Sequence, residues 1–267
     1  MIVDAHVHVF RRAEADGREP DALVPAEREA PVEQLLSLMD GAGVDGAILI
    51  PLDEHDEYVA SVLDRGAFAG IAIGLHSLAR RRERFAFDGV RTQRLDDLGA
   101  LRWMAAEGLV LWTYLTPDQL PALLALPEAV PDLRIVLNHL GFFPHGMRVD
   151  AHGRPAFDDP LPPERVEAVL SLARFETVHV MLSGQYALSA EEAPYRDLDG
   201  LIRRLADAYG ADRMLWASDH PWIDDVPGYG AIAALPAQAL PDASEAELAA
   251  IRGGTALRLF PRLSGAT

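Results

Sequence analysis

The chain contains no cysteine and no lysine. The first absence excludes disulfides, thiolate metal ligands and a cysteine nucleophile. The second excludes Schiff-base lysines, a lysine general base and a lysine-derived metal bridge. All 24 basic residues are therefore arginine, set against 41 acidic ones. A formal charge of -17 argues against binding nucleic acid or an anionic membrane through the general surface. No apolar run approaches the roughly 20 residues that cross a bilayer. The N-terminus also lacks a basic segment leading through an apolar stretch to a small-residue cleavage site, so a cytoplasmic location is expected. The expected partner is a small molecule, and an anionic one would need a local basic pocket. Homo-oligomerisation is left open.

A length of 267 residues matches one (β/α)₈ barrel, a fold of about 250 residues. Short apolar runs alternate with longer helical patterns, which predicts a parallel α/β architecture. Eight candidate strands occupy 2–8, 46–51, 70–75, 89–93, 109–115, 134–140, 178–184 and 213–219. Most are near-continuous apolar runs, as strands covered by helices on the outside and packed within a barrel should be. Helical spacing predicts a helix that starts near Pro31 with Gly41 after it. Another follows Thr116 as N-cap, and a third closes at Gly210. Two short helices broken by Gly253 and Gly254 are expected near the end. Residues 11–30 and 142–161 are predicted as long loops after strands one and six, both leaving the C-terminal ends of strands. Nothing calls for a domain cut, so residues 1–267 are expected to form one TIM-barrel domain.

Catalysis in such barrels occurs at the C-terminal ends of the strands. The residues expected there are His6 and His8, Pro51, His76, Arg91, Tyr114, His139, Ser183 and Asp219. His6 and His8 share one face of a strand, since side chains alternate with period two, and this is a chelate spacing. Imidazoles and a carboxylate gathered at strand ends point to a catalytic centre rather than to scattered structural groups. His179 is expected to point toward the helices and His55 carries no functional role. His145, His152, Phe142 and Phe143 lie in the loop that could reach the mouth, and Trp222 could give an apolar wall.

The segments DAHVH, RIVLNHLG and RMLWASDHPW resemble the amidohydrolase superfamily, in the branch known as amidohydrolase family 2. That branch holds sugar lactonases, 2-pyrone-4,6-dicarboxylate lactonase and aminocarboxymuconate semialdehyde decarboxylase, and the likeness runs over essentially the whole chain. It implies that His6, His8 and Asp219 are metal positions, that Asp219 is also the base that activates water, and that His139 faces the reacting carbonyl. The ion implied is zinc, with manganese next, since zinc accepts imidazole nitrogen and carboxylate oxygen and leaves a position for water.

Departures from the family pattern qualify this. Strand five offers Tyr114 where metal-dependent members place a histidine or a modified lysine, and the metal-free pyrone lactonases are similar in having a tyrosine there. A metal-free mechanism therefore stands beside the metal-dependent one, with His76 as a substitute ligand in the latter. Related lactonases carry a lysine before the Ser-Gly of strand seven and an arginine soon after. Here Met181, Gln185 and Tyr186 occupy that region, which implies a substrate less anionic than a dicarboxylate. Arg91 matches a strand-four arginine that grips a carboxylate or carbonyl. Arg91, Tyr114, Ser183, His76 and Trp222 are the expected substrate contacts. The leading expectation is a hydrolase that opens a lactone or related cyclic ester. The alternatives are a metal-dependent non-oxidative decarboxylase of an aromatic or muconate-like acid, and a catalytically inactive ligand-binding barrel.

Overall fold

The computed structural model describes residues 1–265. Eight parallel strands stand side by side in chain order: β1 (Val3–Val7), β2 (Gly46–Leu49), β3 (Ala67–Ile73), β4 (Gly89–Thr92), β5 (Val110–Thr113), β6 (Arg134–Leu137), β7 (Val178–Leu182) and β8 (Met214–Trp216). Between them run α1 (Val32–Ala42), α2 (Glu57–Val62), α3 (Leu78–Arg82), α4 (Leu98–Ala106), α5 (Leu120–Ala129), α6 (Pro163–Ser171) and α7 (Asp199–Tyr209), and α8 (Tyr229–Ala239) follows β8. This is a (β/α)₈ TIM barrel.

Alternation along the strands sorts the apolar side chains into two layers. Val3, Ala5, Ile48, Ile71, Trp112 and Met181 pack together inside the barrel, where Phe260 and Leu263 join them from the end of the chain. Leu49, Val90, Leu111, Ile135, Val180 and Trp216 belong to a separate outer cluster with residues of the helices, such as Leu35, Leu101 and Leu205. In β1 the alternation breaks. From Asp4 to Val7 the strand advances three residues while its partner advances two, from Ala47 to Leu49. This bulge changes the parity, so Val7 joins the outer layer and His6 and His8 turn inward.

Backbone bonds close the seam between β1 and β8 at the top. Asp219 N–H donates to the His6 carbonyl at 3.0 Å, and His8 N–H donates to the His220 carbonyl at 2.8 Å. Below them the buried Asp4 bridges the seam by accepting from Ser218 N–H at 2.8 Å and from the Tyr229 hydroxyl at 2.7 Å. Burial pushes the Asp4 carboxyl up to about 6 despite these donors.

Three local features differ from the pattern expected of the chain, each for a simple reason. The helix after Pro31 runs through Gly41 and ends at Gly43, which takes the left-handed conformation at φ 68°. Thr116 stands at the N-cap as expected, with Pro117 in the first turn, but its hydroxyl bonds the Asp118 side chain at 2.6 Å rather than a backbone N–H. Gly253 and Gly254 do not break the terminal helices but carry a π turn between them. A Cβ on Gly253 would collide with the Met1 carbonyl oxygen, so this glycine lets β1 start against the turn.

Both long loops are built. In the first, the Arg18 guanidinium donates to the carbonyls of Val24, Pro25 and Arg28. The second contains a two-stranded antiparallel ribbon, Arg148–Val149 with Pro155–Ala156. Arg28 ties the two together by donating to the Gly153 carbonyl at 2.6 Å.

Candidate active site

A cavity of about 240 Å³ opens at the C-terminal end of the barrel. His8, Arg91, Gln93, Tyr114, His139, Tyr186 and Asp219 give its polar wall, and Asp219 is the one carboxylate among the lining residues. Leu23, Met147 and Phe157 from the long loops form its apolar rim with Trp222. Two arginines brace this roof: the guanidinium of Arg28 lies 4.7 Å over Trp222, and that of Arg154 lies 5.3 Å over Tyr186.

Asp219 stands at the centre, held at φ 65°, a conformation that side-chain-bearing residues adopt at a cost and that concentrates at functional sites. Its Oδ2 accepts the Tyr186 hydroxyl at 2.7 Å. Its Oδ1 lies 3.6 Å from His6 Nε2 and 3.8 Å from His8 Nε2, while the two Nε2 atoms are 3.3 Å apart. His139, at φ 46°, sits across from them with Nδ1 2.9 Å from the Ser183 hydroxyl. Gly184 makes room for that ring, because a Cβ there would come within 2.8 Å of it. A Ser183 hydroxyl that donates to Nδ1 leaves the His139 proton on Nε2.

Burial is the main cause that pushes His6 and His8 well below the ordinary imidazole value, with His139 and Arg91 adding to the effect. His139 is lowered by burial too, partly offset by Asp219. The three rings are accordingly neutral at pH 7. Burial lifts the Tyr114 phenol to about 12, so it is a neutral group as well. Arg91 is the positive charge on the wall. It donates to the Leu52 carbonyl at 3.2 Å and stacks 5.3 Å over Tyr114, and among the described residues no carboxylate lies within ion-pair distance of it.

The site thus gathers His6, His8, His139 and Asp219, with Arg91, Tyr114 and Trp222 on the wall. Two expected substrate contacts lie elsewhere. His76 is more than half exposed, pairs with Glu54 at 3.2 Å and is outside the cavity lining, because the strand ahead of it ends at Ile73. Ser183 is fully buried behind His139 and reaches the cavity only through that ring. His179 shares the parity of the inward-facing Met181, so it faces the barrel interior rather than the helices. His145 bonds the Phe143 carbonyl and does not line the cavity. Tyr186, Gln93 and Trp112 acquire roles that sequence reasoning missed. Tyr186 follows the Ser-Gly turn of strand seven, a position whose one sequence signal is the lack of a cation. Trp112 belongs to the inward parity of strand five, and that signal was readable.

A divalent ion can be tested against these side chains. Ligand atoms of His6, His139 and Asp219 all lie within 4.8 Å of one another, a spacing and a donor set that such an ion accepts. The protonation state of His6 does not fit. Its Nδ1 accepts the indole N–H of Trp112 at 3.0 Å, so the proton of the neutral ring sits on Nε2, the atom that faces the centre.

The family model described as "Amidohydrolase" matches residues 3–262. The chain belongs to this family. A curated relative, the L-fucono-1,5-lactonase of Burkholderia ambifaria, is 30% identical over 254 residues, covering 82% of this chain and 80% of that protein. Among solved structures, an amidohydrolase from Burkholderia multivorans with bound zinc superposes with a TM-score of 0.77 at 22% identity, covering 98% of this chain and 99% of that one. A 5-carboxyvanillate decarboxylase from Sphingomonas paucimobilis shares the fold with a TM-score of 0.60 at 18% identity, covering 97% of this chain and 98% of that one. The protein is an amidohydrolase-family enzyme, a hydrolase acting on a small molecule.

Proposed function

We propose that this amidohydrolase opens a lactone or related cyclic ester, with Asp219 as the base. The observation that carries this reading is the placement of Asp219: among the described residues it is the one carboxylate lining the cavity, with Oδ2 tied to Tyr186 and Oδ1 left to accept from a water. His139 Nε2–H and the Arg91 guanidinium hold the carbonyl oxygen. Water attacks the carbonyl carbon as its proton passes to Asp219 Oδ1, and the carbonyl π pair moves onto oxygen, where these donors stabilise it. When the intermediate collapses, the bond to the ring oxygen breaks and the Asp219 proton goes to that oxygen. The product is the open hydroxy acid, and Asp219 is an anion again.

The roughly even mix of polar and apolar wall fits a single uncharged ring gripped at one end, and the 30% identical lactonase supports the same substrate class. Imidazole and carboxylate donors as a class favour zinc, ahead of manganese, but the His6 tautomer opposes such an ion here and no step above passes through a metal. Decarboxylation gains no separate support, since strand five ends at Thr113 and neither it nor the Tyr114 that follows offers an imidazole.

A panel of five- and six-membered sugar and alkyl lactones tests the proposal by acid release and by product analysis. Opening of at least one class at enzymatic rates is expected. Inertness toward all of them, with release of carbon dioxide from carboxylated arenes, would replace this reading with the decarboxylase one.

A further inference from the structure

We propose that Trp112 is a positioning residue that fixes His6 as a hydrogen-bond donor and so makes the His6–His8 pair a poor seat for a divalent cation. An indole N–H donates and never accepts. That of Trp112 has His6 Nδ1, 3.0 Å away, as its hydrogen-bond partner. The ring is fully buried and meets Phe260 edge-on at 5.5 Å, within the packed interior, so it cannot swing aside without opening the core. Nδ1 of His6 must therefore accept, and the single proton of the neutral ring stays on Nε2.

His8 holds the opposite tautomer. Its Nδ1 lies 2.9 Å from the Ile50 carbonyl oxygen, which only accepts, so Nδ1 carries the proton and Nε2 offers a lone pair. The 3.3 Å between the two Nε2 atoms is then a hydrogen bond from His6 to His8. A chelate would instead need both lone pairs facing one ion, and metal-bound histidines ordinarily donate their other N–H to a carbonyl or carboxylate. To serve as a ligand here, His6 would have to move its proton to Nδ1, where it would meet the Trp112 N–H head-on. Two buried donors with no acceptor weaken ion binding by about one to two orders of magnitude. This inference holds for whatever substrate the enzyme opens.

Long-range proton–nitrogen correlation spectra of protein labelled with ¹⁵N-histidine, treated with chelator, read the tautomer directly. The expected His6 pattern is a protonated Nε2 and an unprotonated Nδ1, and the reverse pattern would overturn the proposal. Zinc affinity, measured by competition with a chromogenic chelator, should tighten about tenfold or more in Trp112→Phe. Unchanged affinity in a folded variant would also overturn it. Should Trp112→Phe fail to fold, zinc added stoichiometrically to the wild type decides. The proposal expects the His6 pattern to persist, and transfer of its proton to Nδ1 would refute it.

Discussion

The Tyr186 hydroxyl donates to Oδ2 of Asp219 across 2.7 Å, joining the turn after β7 to the end of β8. The bond leaves one carboxylate oxygen for chemistry and fixes its direction. Tyr186→Phe should lower kcat about 10- to 100-fold, with KM little changed and the fold intact, because it removes one charge-assisted hydrogen bond that orients the base. Steady-state kinetics on the preferred lactone check this. An unchanged kcat would separate Tyr186 from the function of Asp219.

Arg91 reaches the cavity with no carboxylate partner among the described residues, and the proposal gives it the reacting carbonyl oxygen. Arg91→Met should cut kcat/KM by about 100-fold or more. Arg91→Lys should restore only part of the loss, since an ammonium cannot reproduce a planar fork stacked on Tyr114. Equal activity of the lysine variant and the wild type would reduce Arg91 to a general positive charge.

The roof depends on Arg28, which links the Leu23 and Gly153 carbonyls while lying over Trp222. Arg28→Ala should raise KM about tenfold and speed amide hydrogen exchange over residues 142–161, leaving kcat close to normal. Unaltered exchange in that loop would show that the two loops hold their positions independently.

Much of this architecture was legible in the chain. The eight apolar runs appear as eight strands because alternating burial inside and outside a barrel leaves little room for polar residues in them. His6, His8, His139 and Asp219 could be placed at strand ends, and the barrel brings them together. The inward turn of His6 and His8 depends on a bulge between Asp4 and Val7, which a count of alternating residues does not reveal. His76 was misplaced for a related reason, since the register that ends β3 at Ile73 is set by pairing with β4 and not by local composition. The partnership of Trp112 with His6 spans 106 positions and became visible only once the barrel was closed.

Buried histidines give the stability of the chelator-treated protein a definite pH dependence. Burial lowers His6, His8 and His139, and takes His179 to about 4, whereas unfolded histidines titrate near 6.5. The unfolded chain therefore binds protons below pH 6.5 that the folded chain refuses, so this contribution is present above 6.5 and is lost as pH falls. Asp4 acts in the opposite sense. Its folded value of about 6 lies above its unfolded one, so it favours the folded state at low pH and costs stability above pH 6. Each group contributes at most about 1.4 kcal/mol per pH unit, and four histidines outweigh one aspartate. The urea midpoint should fall between pH 7 and pH 5. Asp4→Asn should gain about 1–3 kcal/mol at pH 8 and little at pH 4, with the amide oxygen accepting from Ser218 N–H and the amide NH2 donating to the Tyr229 hydroxyl oxygen. A midpoint that rises on acidification would contradict the neutral, buried state of the histidines.

The central claim is that Asp219 removes the proton from water, and Asp219→Asn tests it most directly. The variant should keep the circular dichroism spectrum and the lactone affinity of the wild type, while kcat falls by about 10³-fold or more. Turnover within about tenfold of the wild type in that folded variant would contradict the account.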